Sequence, residues 1–419
     1  MNGIILDRIR VEKNVVSCSL LFQGEMSSYF LKDKLFIEYE DNMEDVPQSI
    51  LAIPFVSCLA GLTWIADSQL WVDSLDKTFY RAFSRLKRAY QELHSDFPFG
   101  GELIPSVFAG NKATAGGGSI LLFGGGTDCQ ASFIRNESSI DTVLNIFGWL
   151  GDRNQDDPVE RHDQEVTENF CSSVGKTPAH IRSNIFKALN LTEIDRRFQK
   201  KLHAGYWYAF LHSMAFISMA IPLSWKKSLS QIIIASSFGK GVDKKTHGYC
   251  ASLITTDSEF CWAENGNTLH DGYELERQDK VRLIVDYQKK TGKKMFLQVC
   301  SFNDHNCCIC GKCFRTVVQI VAEGGDPRLF GFDIKGSLFD FYSSRALDIV
   351  HTWNYRKEQA RYWKPTVERM KENYDAIQDK AFADWFMTYD FAKAEKLGLR
   401  KYYRKNFWKI VKRKLGSGN

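Results

Sequence analysis

Apolar residues run in short or alternating stretches through the first hundred positions: Ile4–Val11, Val15–Phe22, Tyr29–Tyr39, Ile50–Ala60 and Gln69–Val72, with polar turns between them. This pattern predicts a β-rich start. The period then lengthens. Over Leu75–Leu93, Phe79, Phe83, Leu86 and Tyr90 recur at helical spacing, which predicts one helix. The stretch Phe97–Gly101 and the glycine-rich run Gly110–Gly118 punctuate the chain. They place a boundary near residue 113.

Beyond it, strand and helix patterns alternate. Ser119–Phe123 is a short apolar strand that ends in three glycines, and a helix starts at Asp128. Thr142–Phe147 reads as a second strand, Asp163–Ser173 as a helix and Gln231–Ala235 as a third strand, ending in Ser236–Ser237. Gln278–Thr291 reads as a helix and Met295–Val299 as a fourth strand. Strands separated by helices predict an α/β fold with a parallel sheet, whose ligands gather at the carboxyl ends of the strands. After about residue 340 the chain turns helical and aromatic, and Lys401–Lys414 is dense in Lys and Arg. The expected order is a β-rich domain over 1–113, an α/β domain over 114–340 and a helical basic region over 341–419.

Composition narrows the class. Hydrophobic residues make up 44% and charged residues 25% of 419, a balance that supports buried cores. A net charge of +5 over 55 basic and 50 acidic residues gives no strong nucleic-acid signal. The basic tail alone, with its interleaved aromatics, offers a peripheral membrane contact. The start lacks the apolar core of a signal peptide. Tyr206–Trp225 is long and apolar enough to span a bilayer, but Pro222, His212 and three serines suit a buried helix of the core better. Eleven cysteines, an odd number with five between Cys300 and Cys313, speak for a reducing, cytoplasmic setting over a secreted disulfide framework.

Two clusters carry chemistry. The first is the strand–glycine–helix run Gly124, Gly125, Gly126, Thr127, Asp128, Cys129. Glycines let backbone amides approach an anion, and a helix N-terminus adds unpaired donors and a favourable dipole. Neither the Walker spacing nor the Rossmann spacing fits. A plain glycine turn is the alternative reading. The second cluster is Cys300, Cys307, Cys310 and Cys313, four thiols at spacing that suits tetrahedral zinc with no open position. An iron–sulfur cluster and free thiols are the alternatives. Cys308 stands outside this set, or replaces Cys307.

The glycine run resembles the SGGxDS signature of the PP-loop ATP-pyrophosphatase superfamily. Gly125, Gly126 and Asp128 match, while Gly124 and Cys129 stand where that family has serines. The run Asn306-Cys307-x-x-Cys310-x-Lys312-Cys313-x-Arg315-Thr316 is similar to the zinc segment of its 7-cyano-7-deazaguanine synthase branch, and closer still to the variant in muramoyl-tripeptide glutamate epimerase-like relatives. The resemblance covers roughly residues 115–335. It implies a bacterial protein that binds ATP and Mg²⁺ beside structural Zn²⁺. Its activity would be to transfer AMP to a substrate carboxylate with release of pyrophosphate, before a nucleophile displaces the AMP. The acceptor would be a small molecule, a peptide or a protein terminus. Asp128 would lie near phosphate or magnesium, and Arg277 and Lys280 would neutralise phosphate charge.

Each assignment has a plainer alternative. Asp152, after the second strand, contacts the nucleotide or is a solvated loop acid. Ser236 and Ser237 face ligand or cap a helix. Arg277 and Lys280 face phosphate or pair with Glu276 and Asp279 on their own helix. Losing two serines also admits a non-catalytic nucleotide-binding scaffold. Cys129, at a helix start, admits a nucleophile for tRNA modification.

Overall fold

The computed structural model of the chain describes residues 2–113, 116–149, 158–237, 254–300, 303, 305–350 and 355–416. It divides into two compact units: Met1–Gly124 with Arg135–Leu275, and Gly125–Ile134 with Glu276–Asn419.

The first unit is built on one twelve-stranded sheet. Its strands are β1 (Gly3–Leu6), β2 (Arg10–Glu12), β3 (Val15–Gln23), β4 (Lys34–Glu38), β5 (Gln69–Asp76) and β6 (Glu102–Ala109). They continue as β7 (Ser119–Leu122), β8 (Ile140–Phe147), β9 (Thr177–Ser183), β10 (Gln231–Ala235), β11 (Cys261–Trp262) and β12 (Gly266–Asp271). The order is β11-β12-β10-β7-β8-β9-β4-β3-β1-β5-β6, with β2 also on β3. Two parallel blocks, β12-β10-β7-β8-β9 and β1-β5-β6, are joined by antiparallel β3 and β4. The strands of the parallel core are short apolar runs because both faces are covered.

The sheet runs through the boundary expected near residue 113. Ile37 of β4 pairs with Ser183 of β9, so the β-rich start shares a sheet with the strands after it. Composition marks the glycine-rich connection at 110–118 but carries no record of which strands pair across it.

One apolar run changes type. Ile50–Ala60, expected as a strand, lies in a helix over Gln48–Ile65. All but the first of its residues are buried, so it shows no polar stripe, and periodicity cannot separate it from a buried strand. Tyr206–Trp225 does form buried helix, as a π-helical segment Trp207–Leu211 continuing into His212–Lys226. Both helices are long and apolar enough to cross a membrane, yet 94% and 78% of their apolar windows are buried inside the protein. They press together: a Cβ on Gly61 would lie 2.6 Å from the Phe210 ring. Met295–Val299, expected as the fourth strand, joins no sheet. It is an extended segment of the second unit, where Met295 N–H donates to Leu329 O and Leu297 N–H to Phe330 O. The helices expected at Leu75–Leu93 and Gln278–Thr291 form over Lys77–Leu93 and Arg277–Thr291.

Asp76 closes the β5 side of the sheet. Its buried carboxylate caps the Lys77–Leu93 helix at Phe79 N (2.8 Å) and accepts from Asn111 Nδ2 (2.9 Å) and Ala263 N (3.1 Å). Its own helix and two distant segments thus satisfy one charge. Asp76→Ala should cost about 3 kcal/mol, because it strands buried donors as well as removing charge-assisted bonds. A lowered thermal midpoint, with Asp76→Asn intermediate, is the expected result; an unchanged midpoint would refute this role.

Candidate anion and metal site

The glycine run leaves β7 and enters the helix Thr127–Asn136. Gly125 has φ +70°, a conformation that L side chains rarely adopt. A Cβ on Gly124 would meet nothing within 4 Å, and one on Gly126 only Gln298 O at 3.8 Å. Glycine is therefore required by backbone conformation at 125. At 124 and 126 it leaves space open over the loop. Thr127 is buried, and the Cys129 thiol donates to Gly126 O at 3.2 Å, which ties it into the turn.

Asp128 lies in the first turn of this helix. Its Oδ2 accepts from Arg277 at 3.1 Å and its Oδ1 from Lys280 at 2.9 Å. Arg277 and Lys280 stand on one face of the Arg277–Thr291 helix, three residues apart. The alternative pairing on their own helix is taken by others: Asp279 accepts from Glu276 N–H and from Arg282. Burial pushes the Asp128 carboxyl up, but Arg277 first, then Lys280 and Arg315, outweigh it and hold it below the usual carboxylate range. Arg315 is half-buried, with its guanidinium 3.9 Å from the centre of the Tyr362 ring. Burial, then Arg315 and Arg277, lower the Lys312 ammonium. Arg277, Lys280 and Arg315 thus surround the Asp128 carboxylate, while Glu358 acts on Arg315 and the cysteines on Lys312; an excess of basic groups favours anions.

Lys312 and Arg315 belong to the helix Gly311–Ala322, and the cysteines fix its start. The sulfurs of Cys300, Cys307, Cys310 and Cys313 all lie within 4.8 Å of one another. Cys307 and Cys313 are 3.9 Å apart, close to the roughly 3.8 Å edge of a tetrahedron with 2.3 Å metal–sulfur bonds. Cys310 caps the helix, its sulfur accepting from Cys313 N–H, and Cys307 accepts from Cys310 N–H. The Cys313 thiol, then the Cys313 and Lys312 amides, push the Cys310 thiol down to about 5 against its burial. This donor set can hold a metal ion. Cys308 is excluded: at φ +60° its thiol donates to Asn306 O.

Asn306 has no role in the sequence reading beyond its place in the motif. Here its buried carboxamide accepts from Val299 N and Cys300 N and donates to Leu297 O and Gly331 O. It holds Cys300 beside the other three cysteines. Lys312 was likewise only a motif letter. No spacing rule assigns either role, because their partners are backbone groups and charges that only the fold supplies.

Ser236 and Ser237 follow β10 in the first unit, where Ser236 is buried and its N–H donates to Asp271 O. Their strand runs parallel to β7, so they share the carboxyl edge of the sheet with Gly124. Asp152 lies outside the described residues. In the basic tail the backbone is helical over Phe391–Gly416, with Tyr402 and Tyr403 exposed; side chains from residue 407 onward lie outside the described residues.

No protein-family model matches the chain, and no curated protein matches it.

Two outcomes are expected. Elemental analysis should find one metal ion per chain; Cys313→Ser and Asn306→Ala should lose or weaken it, and Cys308→Ser should retain it. Equal retention by all three would refute the four-cysteine site. Because Asp128 has a depressed carboxyl in the folded state, its stabilisation is present above the unfolded value near 3.9 and is lost as pH falls below it. Asp128→Asn should therefore lower the thermal midpoint near neutrality and flatten its decline below about pH 4. A parallel decline in both proteins would show that Asp128 carries none of it.

Proposed function

We propose that the chain is an ATP pyrophosphatase of the PP-loop type, which adenylates a substrate carboxylate. The observation that carries this reading is the Asp128–Arg277–Lys280 cluster. A carboxylate in the first helical turn after an open glycine loop is surrounded by Arg277, Lys280 and Arg315, an excess of positive charge suited to polyphosphate. In the reaction a carboxylate oxygen of the substrate bonds to the α-phosphorus of ATP and the α–β phosphoanhydride bond breaks. Pyrophosphate leaves with the electron pair, and a nucleophile later displaces AMP from the acyl-adenylate. Negative charge grows on the departing pyrophosphate. Arg277, Lys280 and the amides that open the Thr127–Asn136 helix would stabilise it. The loop glycines let phosphate approach the backbone.

The cysteine cluster suits zinc, closed by four thiolates and without an open position for substrate. Its role is to fix the start of the helix that carries Lys312 and Arg315. Mg²⁺ fits less well. Both Asp128 oxygens already accept from cations, so an ion bound there would compete with Arg277 and Lys280. The acceptor is a small molecule, a peptide or a protein terminus bearing a carboxylate.

A second reading has its own support. Gly124 and Cys129 replace two hydroxyls, and the Cys129 thiol is turned onto Gly126 O. Both would fit a nucleotide-binding scaffold without turnover, and the buried thiol weakens the nucleophile reading for tRNA modification.

The test is incubation of metal-loaded protein with Mg-ATP and a pool of carboxylates, following pyrophosphate and AMP. Release of both, reduced at least a hundredfold in Asp128→Ala and in Lys280→Met, is the expected result. ATP binding without pyrophosphate would favour the scaffold, and absence of ATP binding would sink the nucleotide reading altogether.

A further inference from the structure

The sheet of the first unit contains a slit. β1 and β2 lie end to end along the same side of β3: Leu6 pairs with Leu20, and Arg10 with Ser17. Between those pairs Asp7, Arg8 and Ile9 face only Cys18 and Ser19, so the chain carries one extra residue. That is a β-bulge, which bends a strand and raises its twist. Its consequence falls on β5. β5 runs parallel beside β1 from Gln69 to Trp71, then continues to Asp76; among the described residues β6 is its one strand partner there. Among the described residues β2, past the bulge, pairs only with β3. The facing edges of β2 and the second half of β5 diverge, and a cleft of about 760 Å³ opens between Leu6–Glu12 and Val72–Ser74, with Glu44 and Gln48 also lining it.

Most backbone edges inside a sheet are paired, because unpaired N–H and C=O groups shielded from water are costly and exposed ones recruit other strands. Here two edges face one gap. From Asp7 to Glu12 the slit is six residues long, roughly 20 Å at strand rise and about the length of an average strand. Its volume lies within the range of ligand-binding clefts. The lining is acidic: Asp7, Glu12, Glu44 and Asp73 against Arg8 and Arg10. Asp7 and Asp73 are both exposed.

We infer that this cleft receives an extended, basic peptide segment of a partner protein as an added strand between β2 and β5. Main-chain bonds to the two edges supply affinity, and pairing of lysine or arginine side chains with Asp7 and Asp73 selects the sequence. The bulge is the device that keeps the slot open. The inference stands apart from the nucleotide reading, since it rests on the sheet of the first unit alone.

The test uses the full chain and a capped, labelled hexapeptide of alternating valine and lysine. Its controls are a valine–glutamate counterpart and a version N-methylated on alternate residues. Saturable binding is expected by fluorescence anisotropy, with hydrogen-exchange protection of amides in both Asp7–Glu12 and Asp73–Asp76. The glutamate and N-methylated peptides should bind at least tenfold more weakly. Asp7→Lys with Asp73→Lys, and separately Ser74→Tyr to fill the slit, should weaken binding at least tenfold while the thermal midpoint holds. Absent binding, equal binding of the N-methylated peptide, or protection confined to other segments would overturn the inference. So would concentration-dependent self-association that protects the same amides without peptide, since it would make a second copy of this chain the occupant.

Discussion

The second unit depends on a single charge arrangement. It is assembled from two pieces of chain far apart in sequence, the ten-residue segment Gly125–Ile134 and everything after Glu276. The Asp128 carboxylate fastens the short piece to the long one through Arg277 and Lys280. Two neutral bonds assist it, Gln298 N–H to Gly125 O and Gln130 Nε2 to Phe296 O. A half-buried carboxylate without these cations would carry an uncompensated desolvation cost. The cations, crowded together, would in turn repel one another without Asp128. Each side of the cluster makes the other tolerable, and the result is a centre with more positive than negative charge.

That surplus links structure to chemistry. A structural ion pair needs only neutrality, whereas Arg315 and Lys312 add charge that Asp128 alone cannot balance. Holding the half-buried Arg315 guanidinium near another arginine requires a rigid support. The four cysteines and the Asn306 carboxamide supply it at the start of the Gly311–Ala322 helix, and the Tyr362 ring supplies a face for Arg315. The cysteine cluster, which can hold a metal ion, thus bears on the basic centre through the Gly311–Ala322 helix.

The first unit shows another constraint. A twelve-stranded sheet with two parallel blocks must reverse direction between them, and β3 and β4 do this. A local irregularity lies on β3's other edge at Asp7–Ile9, where one added residue separates β1 from β2. Sheets commonly hide such irregularities under loops or helices. Here it leaves a cleft lined by charged side chains.

The sequence alone determined much of the local structure. Apolar period located Lys77–Leu93, β8, β10 and Arg277–Thr291 to within a few residues. Glycine chemistry located the turn into Thr127–Asn136, and cysteine spacing selected the four thiols that converge. These features rest on neighbours in the chain, so they can be read from it. Ile50–Ala60 could not be typed, because a segment buried on all sides carries no periodicity. Met295–Val299 has the composition of a strand but bonds to carbonyls of the short 3-10 helix Pro327–Phe330 instead of a neighbouring strand. Pairing of β4 with β9, the slit beside β5 and the choice of Asp128 over Asp279 as partner for Arg277 and Lys280 were decided by tertiary structure alone. Each depends on which distant group arrives within hydrogen-bond reach, and local propensity holds no information about that distance.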